Sequence, residues 1–315
     1  MTSIRTNASA MTALQSLNMT SRDLATTQSR ISTGYKVANA SDNAAYWSIA
    51  TTMRSDKNAL STVQDALGLG ASTVDVAYTG LNSSIDVVDK IKAKLVAARQ
   101  PGIDRTKVQS EIGQLQKQLQ SVSDASSFSG ENWLSTDSTA AGYNATKSVV
   151  SSFTRSGGAV SVGTISIDTA TTKLFDSGAG TTAVGILDTT RDASTGAVDT
   201  AAGTFSIATL DISTLTDSAA DLAKLDGYIK GADAGIKEMA SAASSLGASK
   251  SRIEMQKTFV TNLSQAIDRG VSSLVDADMN EESTRLQALQ TQQQLGVQAL
   301  SIANSSSQQI LSLFR

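Results

Sequence analysis

A chain of 315 residues with no Cys, no His, one Pro and a formal net charge of −3 is long enough for two or three domains. The missing Cys excludes a disulfide framework and thiol chemistry, and the missing His removes the commonest general base and transition-metal ligand. We therefore expect no enzyme, no cofactor and no metal site. The slightly acidic balance argues against a nucleic-acid partner, and no apolar run is long enough to span a membrane.

Residues 1–34 are predicted to form an amphipathic helix, with apolar residues seven apart and few charges between them. Gly34 is placed to end this helix, because glycine readily adopts the left-handed conformation of a helix C-terminus. The apolar stripe is narrow, and a lone helix of this kind is marginal in water. It consists of Ala10, Leu17, Leu24 and Ile31, with Ile4, Met11 and Leu14 beside it.

A connector at 35–43 offers four helix N-cap candidates, Asn39, Ser41, Asp42 and Asn43, and a heptad repeat follows over 44–100. Apolar residues sustained at this spacing predict a coiled-coil helix about 70 Å long at 1.5 Å per residue. Its first seam is Met53, Leu60, Leu67, Val74, Leu81, Val88 and Leu95. Its second seam includes Ile49, Val63, Ala77 and Ile91.

Pro101-Gly102 interrupts the repeat, and Asp104 is the predicted N-cap of another heptad helix. A short loop between two such helices predicts an antiparallel pair. A further heptad run over 219–278 supplies a third partner, with Leu246, Ile253, Val260, Ile267 and Leu274 in its seam. The fold class is therefore mainly α, a long coiled-coil helical bundle formed by the N- and C-terminal segments.

The block at 141–218 differs in composition, because Thr, Ala, Gly, Ser and Asp dominate it and Glu is absent. Alternating apolar residues at 160–167 and 205–207 predict half-buried strands, and Gly157-Gly158 predicts a turn. We interpret the block as a small inserted β-rich domain. Low-complexity disorder is the alternative, since a Thr- and Gly-rich composition suits it as well.

Residues 279–315 carry a new apolar stripe, because the heptad phase slips at Glu281. Pairing the two terminal helices would cover only part of their apolar area. Ends with uncovered apolar flanks fit a subunit that stacks into a helical filament through contacts that do not close. The predicted polymerisation interface is Ile4, Met11, Leu14, Leu17, Leu24, Ile31, Leu286, Leu289, Leu295, Leu300, Ile302, Ile310, Leu311, Leu313 and Phe314.

Three other features have a less favoured functional interpretation. Gly68-x-Gly70 has the glycine spacing of a phosphate loop, but it lies inside the heptad run, which favours close helix packing. The acidic residues at 276–282 could hold a cation, although the glycine spacing of a calcium loop is missing and a solvated helix face is favoured. Trp47 and Trp133 are expected to pack in a core or an interface and not to stack on a ligand.

Motifs in both halves resemble bacterial flagellin, the subunit of the flagellar filament. Ser32–Ala45 is similar to the family's pattern of Ser, Gly, a basic and an apolar residue, Asn or Ala, and then Asp-Asp-Ala-Ala. The ending Leu-Ser-Leu-Phe-Arg is similar to the family's Leu-Ser-Leu-Leu-Arg. Further matches lie at Val108–Ile112, Phe128–Leu134, Leu246–Ala248, Arg252-Ile253, Asp276–Asp278 and Leu295–Asn304. The resemblance covers about 1–140 and 236–315 and leaves out the central block.

The resemblance implies three domains. A terminal helical polymerisation domain at 1–42 plus 279–315 would form the filament core, a coiled-coil rod at 43–140 plus 219–278 would surround it, and a variable domain at 141–218 would face outward. The implied partners are other copies, alone or with sister flagellins, together with an export chaperone, a type III export apparatus, and hook-associated junction and cap proteins. The implied location is extracellular. The start of the chain has no apolar signal-peptide core, which suits export without cleavage.

Two rival functions stay open at this point. A hook–filament junction protein shares the same terminal helical plan, and it would differ from a filament subunit by occurring in few copies. More remote is an enzyme or a binding module in the central block, which folding and ligand-binding tests on that block would address.

Overall fold

The computed structural model describes residues 7–178, 184–199 and 204–312, with 306–312 described by backbone alone. Five helices hold most of these residues: α1 (Ala8–Thr33), α2 (Ala44–Ala98), α3 (Arg105–Ala125), α4 (Ala219–Val275) and α5 (Met279–Ser312). The prediction of a mainly α chain with a small β-rich insert is confirmed. None of the described helices combines the length and the hydropathy that a membrane span requires.

The described residues between α3 and α4 contain eight strands, of which two are longer than two residues. They are β1 (Ser127–Phe128), β2 (Glu131–Asn132), β3 (Ser135–Thr136), β4 (Thr146–Ser156), β5 (Ala159–Asp168), β6 (Phe175–Asp176), β7 (Arg191–Asp192) and β8 (Thr204–Phe205). They form separate two-stranded pairs: β1 with β2, β3 with β6, β4 with β5 and β7 with β8. The insert therefore has no continuous sheet of its own among the described residues and depends on the helices for its core.

The chain divides into two compact units. Unit 1 consists of Met1–Asn58 and Leu263–Arg315, and unit 2 consists of Ala59–Asn262. Helices α2 and α4 contribute residues to both units. The three domain ranges expected from the sequence remain predictions.

The helix ends follow the capping residues that the sequence offers. Gly34 ends α1 at φ 75°, and the Asp104 side chain accepts the N–H groups of residues 106 and 107 at the start of α3. Of the four candidates in the connector, Asn43 accepts the N–H of Tyr46 at the start of α2. Asp42 instead accepts two N–H groups inside the connector, which lowers the pKa of its carboxyl.

In unit 2, α2 and α4 run antiparallel with a constant register. Each step along α2 is matched by an equal step back along α4, as three ion pairs show: Asp75–Lys250, Lys92–Asp233 and Arg99–Asp226. Nine seam residues of the heptad runs in unit 2 are at most 3% exposed: Leu60, Leu67, Val74, Leu81, Val88, Leu95, Leu246, Ile253 and Val260. Helix α3 is also antiparallel to α2, because Arg105 binds the Ala98 carbonyl and Ser126 lies against Gly80 further back along α2.

Three glycines of α4, spaced four residues apart, contact part of the central block. We call this part, residues 193–199 and 204–212, the inserted segment. A Cβ on Gly227 would collide with the Ala193 backbone, and one on Gly231 would collide with the Phe205 ring. A Cβ on Gly235 would collide with the Ile207 side chain in the same way. Residues spaced by four lie on one helix face, so these glycines form a groove along α4 in which the segment lies. The spacing of these glycines in the sequence does not by itself predict this groove.

Side chains of α3 bind the same segment from another side. The Gln116 amide donates to the carbonyls of Ile207 and Leu210. Gln109 both donates to the Leu210 carbonyl and accepts the Ile212 N–H, as a neighbouring strand would. Together with the buried side chains of residues 207, 210 and 212, these contacts make the segment part of the unit 2 core. The described part of the segment is ordered, contrary to the disorder alternative.

The strands predicted at 160–167 lie in the β4–β5 hairpin, which turns at Gly157-Gly158 with positive φ at both glycines. The expected alternation holds only near the helices, where Ile165 and Ile167 are buried. Val160 and Val162 are more than half exposed, because they lie on the opposite face of β5. A register shift in β4 between Val150 and Ser152 accompanies this change of face.

The strand predicted at 205–207 is wrong in part, because only Phe205 belongs to β8 and Ile207 lies in a turn. Ser206, between the two apolar residues of this predicted strand, is 6% exposed. Its hydroxyl forms a hydrogen bond of 2.8 Å with the Thr209 hydroxyl. A buried hydroxyl needs such a partner, and a local turn provides one.

Unit 1 has a small apolar core formed by Val37, Ala50, Val271 and Val275. Three predicted seam residues, Met53, Ile267 and Leu274, are partly buried against this core. Ile49, which was assigned to the second seam, is 45% exposed instead. Ala50 takes the inward position beside it, so the repeat does not extend to the start of α2.

Candidate functional site

The terminal helices α1 and α5 form an antiparallel pair in unit 1. Near the start of α1, the Asn7 side-chain amide donates to the Ala303 carbonyl at 2.9 Å. Midway along, the Leu17 side chain would lie 3.2 Å from a Cβ on Gly296. At the other end of α1, the Arg30 guanidinium lies 3.0 Å from the Glu282 carboxylate.

The contact face of each helix follows a heptad pattern. Seven covered or partly covered positions on α1 follow it, Ala10, Ala13, Leu17, Thr20, Leu24, Thr27 and Ile31, and Arg30 beside them is also partly covered. Those on α5 are Glu282, Leu286, Leu289, Gln293, Gly296, Leu300 and Ala303. We call these fourteen residues the terminal seam. It has alternating steps of three and four, as in a coiled coil, but it contains Thr, Gln and Gly where a strong coiled coil has large apolar residues.

A second apolar surface lies outside the terminal seam. On α1, Met11 is 65% exposed and Leu14 is 50% exposed; on α5, Leu295 is 58% exposed and Ile302 is 68% exposed. Leu295 and Ile302 each follow a seam residue by two positions, which places each of them about 200° around the helix axis from that seam residue. We call these four residues the outer surface. Among the described side chains, both terminal helices are thus apolar on two faces, and the face outside the terminal seam is exposed.

The structure therefore separates the predicted polymerisation residues into two groups. Six of them lie in the terminal seam: Leu17, Leu24, Ile31, Leu286, Leu289 and Leu300. Four form the outer surface. Ile4, Leu313 and Phe314 lie outside the described residues, and Ile310 and Leu311 are described by backbone alone. Pairing of α1 with α5 accounts for the first group without any second copy, whereas the sequence pattern alone does not separate the two groups.

The linker that follows α1 is hydrogen-bonded to the linker that precedes α5. The Lys36 and Val37 N–H groups donate to the Val275 carbonyl, and the Ala277 N–H donates to the Gly34 carbonyl. We call residues 34–37 and 275–277 the linker pair. Because both breaks in the helices occur side by side, the linker pair fixes where α1 and α5 begin to run together.

Local contacts account for two of the acidic residues near the linker pair. Asp278 caps α5 by accepting the Asn280 N–H at 2.9 Å, and Glu282 pairs with Arg30. No group of three or more acidic residues suited to a metal ion occurs within the described ranges 7–178, 184–199 and 204–312.

The two tryptophans and the glycine pair have different surroundings. Trp133 is buried, and its indole N–H donates to Glu131, which lowers the pKa of that carboxyl. Trp47 is 38% exposed on α2. Gly70 packs against Val149 of the hairpin, whereas Gly68 has no neighbouring atom within 4 Å of a Cβ position.

Comparison with known proteins agrees with this architecture. The family model of the bacterial flagellin N-terminal helical region matches residues 4–139, and that of the bacterial flagellin C-terminal helical region matches residues 229–314. The chain belongs to the flagellin family. Flagellins are structural proteins of the bacterial flagellar filament, so the chain is a structural subunit of that filament, and the resemblance noted in the sequence is confirmed.

Curated flagellins match over the whole length of this chain and of their own chains. Flagellin C of Rhizobium meliloti (strain 1021) is 51% identical over 327 aligned positions. Flagellin A of the same strain is 47% identical over 399 positions, and a flagellin of Brucella melitensis is 45% identical over 316 positions. Nothing in these comparisons supports the hook–filament junction alternative.

Proposed function

We propose that this flagellin polymerises through the outer surface of α1 and α5, while the terminal seam holds those two helices together within each chain. The observation that carries the proposal is the second apolar face of both helices. Met11, Leu14, Leu295 and Ile302 are half or more exposed in the isolated chain. Apolar side chains clustered on one face in this way gain free energy when a neighbouring copy covers them.

The poor composition of the terminal seam supports the same division of roles. Thr20, Gln293 and Gly296 give the pair little apolar area to bury, so the pair is weakly held on its own. Contacts with neighbouring copies would then supply the missing stabilisation. We include Ile4, Ile310, Leu311, Leu313 and Phe314 in the proposed interface, since they extend the terminal helices in the sequence.

Seeded assembly tests the outer surface directly. Leu295→Ser and Ile302→Ser remove exposed apolar groups and should leave the fold of the monomer unchanged. Gln298→Ser is the matched control, because Gln298 is a polar exposed residue of the same helix. We expect electron microscopy to show long filaments for the control and few or none for the double variant. Filaments of normal length from the double variant would refute the proposal.

We further infer that the chain is exported through a type III apparatus with the help of a chaperone on its C-terminal segment. Cap proteins would assist its assembly, and hook-associated proteins would join the filament to the hook. The absence of Cys supports threading, since no disulfide can lock the chain. The weak terminal seam supports it too, because ends that fold only on assembly stay extended during transit. Pull-down of an added chaperone by the full chain, and loss of binding when 279–315 is removed, would test this inference.

We propose the three domain ranges given by the sequence, 1–42 plus 279–315, 43–140 plus 219–278, and 141–218, as functional divisions within the filament. The central block is proposed to face outward. Limited proteolysis of assembled filaments tests this, since cleavage should begin within 141–218 and the terminal ranges should be protected.

A further inference from the structure

We propose that Arg30 and Glu282 form an intrachain latch, which selects pairing of α1 with the α5 of the same chain. The inference rests on the proposed function, because it concerns how identical ends find the correct partner during assembly. In a filament every α1 has many copies of α5 around it, and an apolar seam alone discriminates poorly among them.

The position of the pair is the first observation. Arg30 and Glu282 lie at the end of the terminal seam that is next to the linker pair, where Gly34 and Ala277 are hydrogen-bonded. The linker pair therefore holds the two side chains near each other within one chain. Pairing with another copy would have to meet the same geometry without that connection.

The burial of Glu282 is the second observation. Its side chain is only 7% exposed, and Oε2 is shielded from solvent with no hydrogen-bond partner in the described structure. The carboxylate is therefore satisfied through Oε1 by Arg30, whose side chain is 32% exposed. A buried carboxylate with a single cationic partner penalises every arrangement that removes this partner.

The distribution of burial along the terminal seam is the third observation. Its most buried members, Thr27, Glu282 and Leu289, are at most 8% exposed, and all lie in the half near the linker pair. The far half, with Ala13, Gly296 and Leu300, is only partly covered. Closing the α1–α5 pair therefore buries the most side-chain surface near the latch. The far half then pairs in the register that the latch sets.

Like charges add a second discrimination, against pairing between identical helices, to the same-chain preference that the linker pair provides. Two α1 helices aligned in parallel would bring Arg30 against Arg30, and two α5 helices would bring Glu282 against Glu282. Only an α1–α5 pair places opposite charges together, so the latch disfavours pairing between identical helices. This is the use for which a polar pair in a coiled-coil seam is best known.

Charge reversal and mixing test the latch. We expect seeded filament growth to slow at least tenfold for Arg30→Glu and for Glu282→Arg. The double variant should grow within about twofold of the wild type, because the reversed pair restores the attraction. An equimolar mixture of the two single variants should grow no faster than either alone, because neither chain can close its own latch.

Rescue by mixing would show that the pair forms between copies and would overturn the proposal. Growth of both single variants at the wild-type rate would overturn it as well. Arg22→Glu is the matched control, since Arg22 is an exposed residue of the same helix, and its growth should stay near that of the wild type. Failure of the wild type itself to polymerise would instead refute the proposed function.

Disulfide trapping gives a second readout that does not depend on growth rate. The natural chain has no Cys, so Thr27→Cys with Leu286→Cys introduces a single pair within the seam half beside the latch. Oxidation of filaments should yield a cross-linked band of monomer size. A ladder of bands of dimer size and larger as the main product would show that α1 pairs with the α5 of a neighbour and would overturn the latch.

Discussion

The ring of Phe205 occupies the position where a Cβ on Gly231 would lie. This close approach joins the inserted segment to α4 and leaves no room for a side chain at Gly231. Gly231→Ala should therefore lower the free energy of unfolding by about 1–3 kcal/mol, because it overpacks a site with no room for a methyl group. Urea unfolding followed by circular dichroism measures the change.

Gly270 provides the control for this substitution. It lies in the same helix, and no atom lies within 4 Å of its Cβ position. Gly270→Ala should raise the free energy of unfolding by about 0.5–1 kcal/mol, since alanine is the better helix former. Equal effects of the two substitutions would contradict the groove.

Gln116 is expected to stabilise the insert through its two carbonyl partners. Gln116→Ala leaves the carbonyls of Ile207 and Leu210 with one donor fewer, and we expect a loss of about 1–2 kcal/mol in the free energy of unfolding. Gln118→Ala, at an exposed position of the same helix, should change it by less than about 0.5 kcal/mol. Thermal melting of both variants tests the difference.

The heptad positions show how far sequence reasoning reaches. Leu67 and Leu246 follow a period that depends only on backbone geometry, so their inward orientation can be predicted from spacing alone. The cap at Asp104 and the turn at Gly157-Gly158 are equally local, because a few neighbouring residues determine them.

The remaining features depend on contacts between distant segments. Gly231 and Phe205 are not recognisable as partners until the insert is placed on α4, and Ser206 becomes buried only through the same placement. The two apolar faces of α5 were also merged in the sequence analysis. Leu289 and Leu295 are equally apolar, and only the position of α1 shows which of them is covered.

The ion pair between Lys173 and Asp176 predicts a dependence of stability on acid. The Asp176 side chain is fully buried, and Lys173 Nζ lies 2.5 Å from its carboxylate. Burial opposes ionisation, but hydrogen bonds from Lys173, the Ser138 N–H and the Gly178 N–H outweigh it and lower the pKa of Asp176. Because the pKa of Asp176 is lower in the folded state than in the unfolded state, its ionised carboxylate stabilises the fold fully above the unfolded-state pKa of about 4. This stabilisation is lost as the pH falls from there toward the folded-state pKa.

Lys173→Met should accordingly lower the free energy of unfolding at pH 7 by about 3 kcal/mol, because it leaves a buried carboxylate without its cation. The pKa of Asp176 should rise in this variant, so that the loss of stability on acidification begins at higher pH than in the wild type. Lys147→Met removes a cation from the more exposed pair with Glu131 and should cost less than about 1 kcal/mol. Unfolding curves between pH 3 and pH 7 would contradict the prediction if the two variants behaved alike.

Asp188 should act in the opposite direction. Burial, and to a smaller extent the nearby Asp176 charge, raise its pKa despite the hydrogen bond that it accepts from the Asp176 N–H. A raised carboxyl pKa means that ionisation at neutral pH destabilises the fold, and that this penalty disappears as the pH falls through the folded-state value. Asp188→Asn keeps an oxygen for the same hydrogen bond, so it should raise the melting temperature at pH 7 and change it little in acid. A lower melting temperature at pH 7 would show that the charge is stabilising.

Two leucines of α2, two positions apart, offer a direct test of the heptad assignment. Leu67 is completely buried, whereas Leu69 is 55% exposed. Leu67→Asp removes core packing and buries an unpaired charge, so we expect a loss of at least about 4 kcal/mol and unfolding of unit 2 near room temperature. Leu69→Asp keeps its charge in water and should cost less than about 1 kcal/mol. Circular dichroism melts of the two variants decide the matter, since the same substitution in the same helix can differ this much only if one seam faces inward.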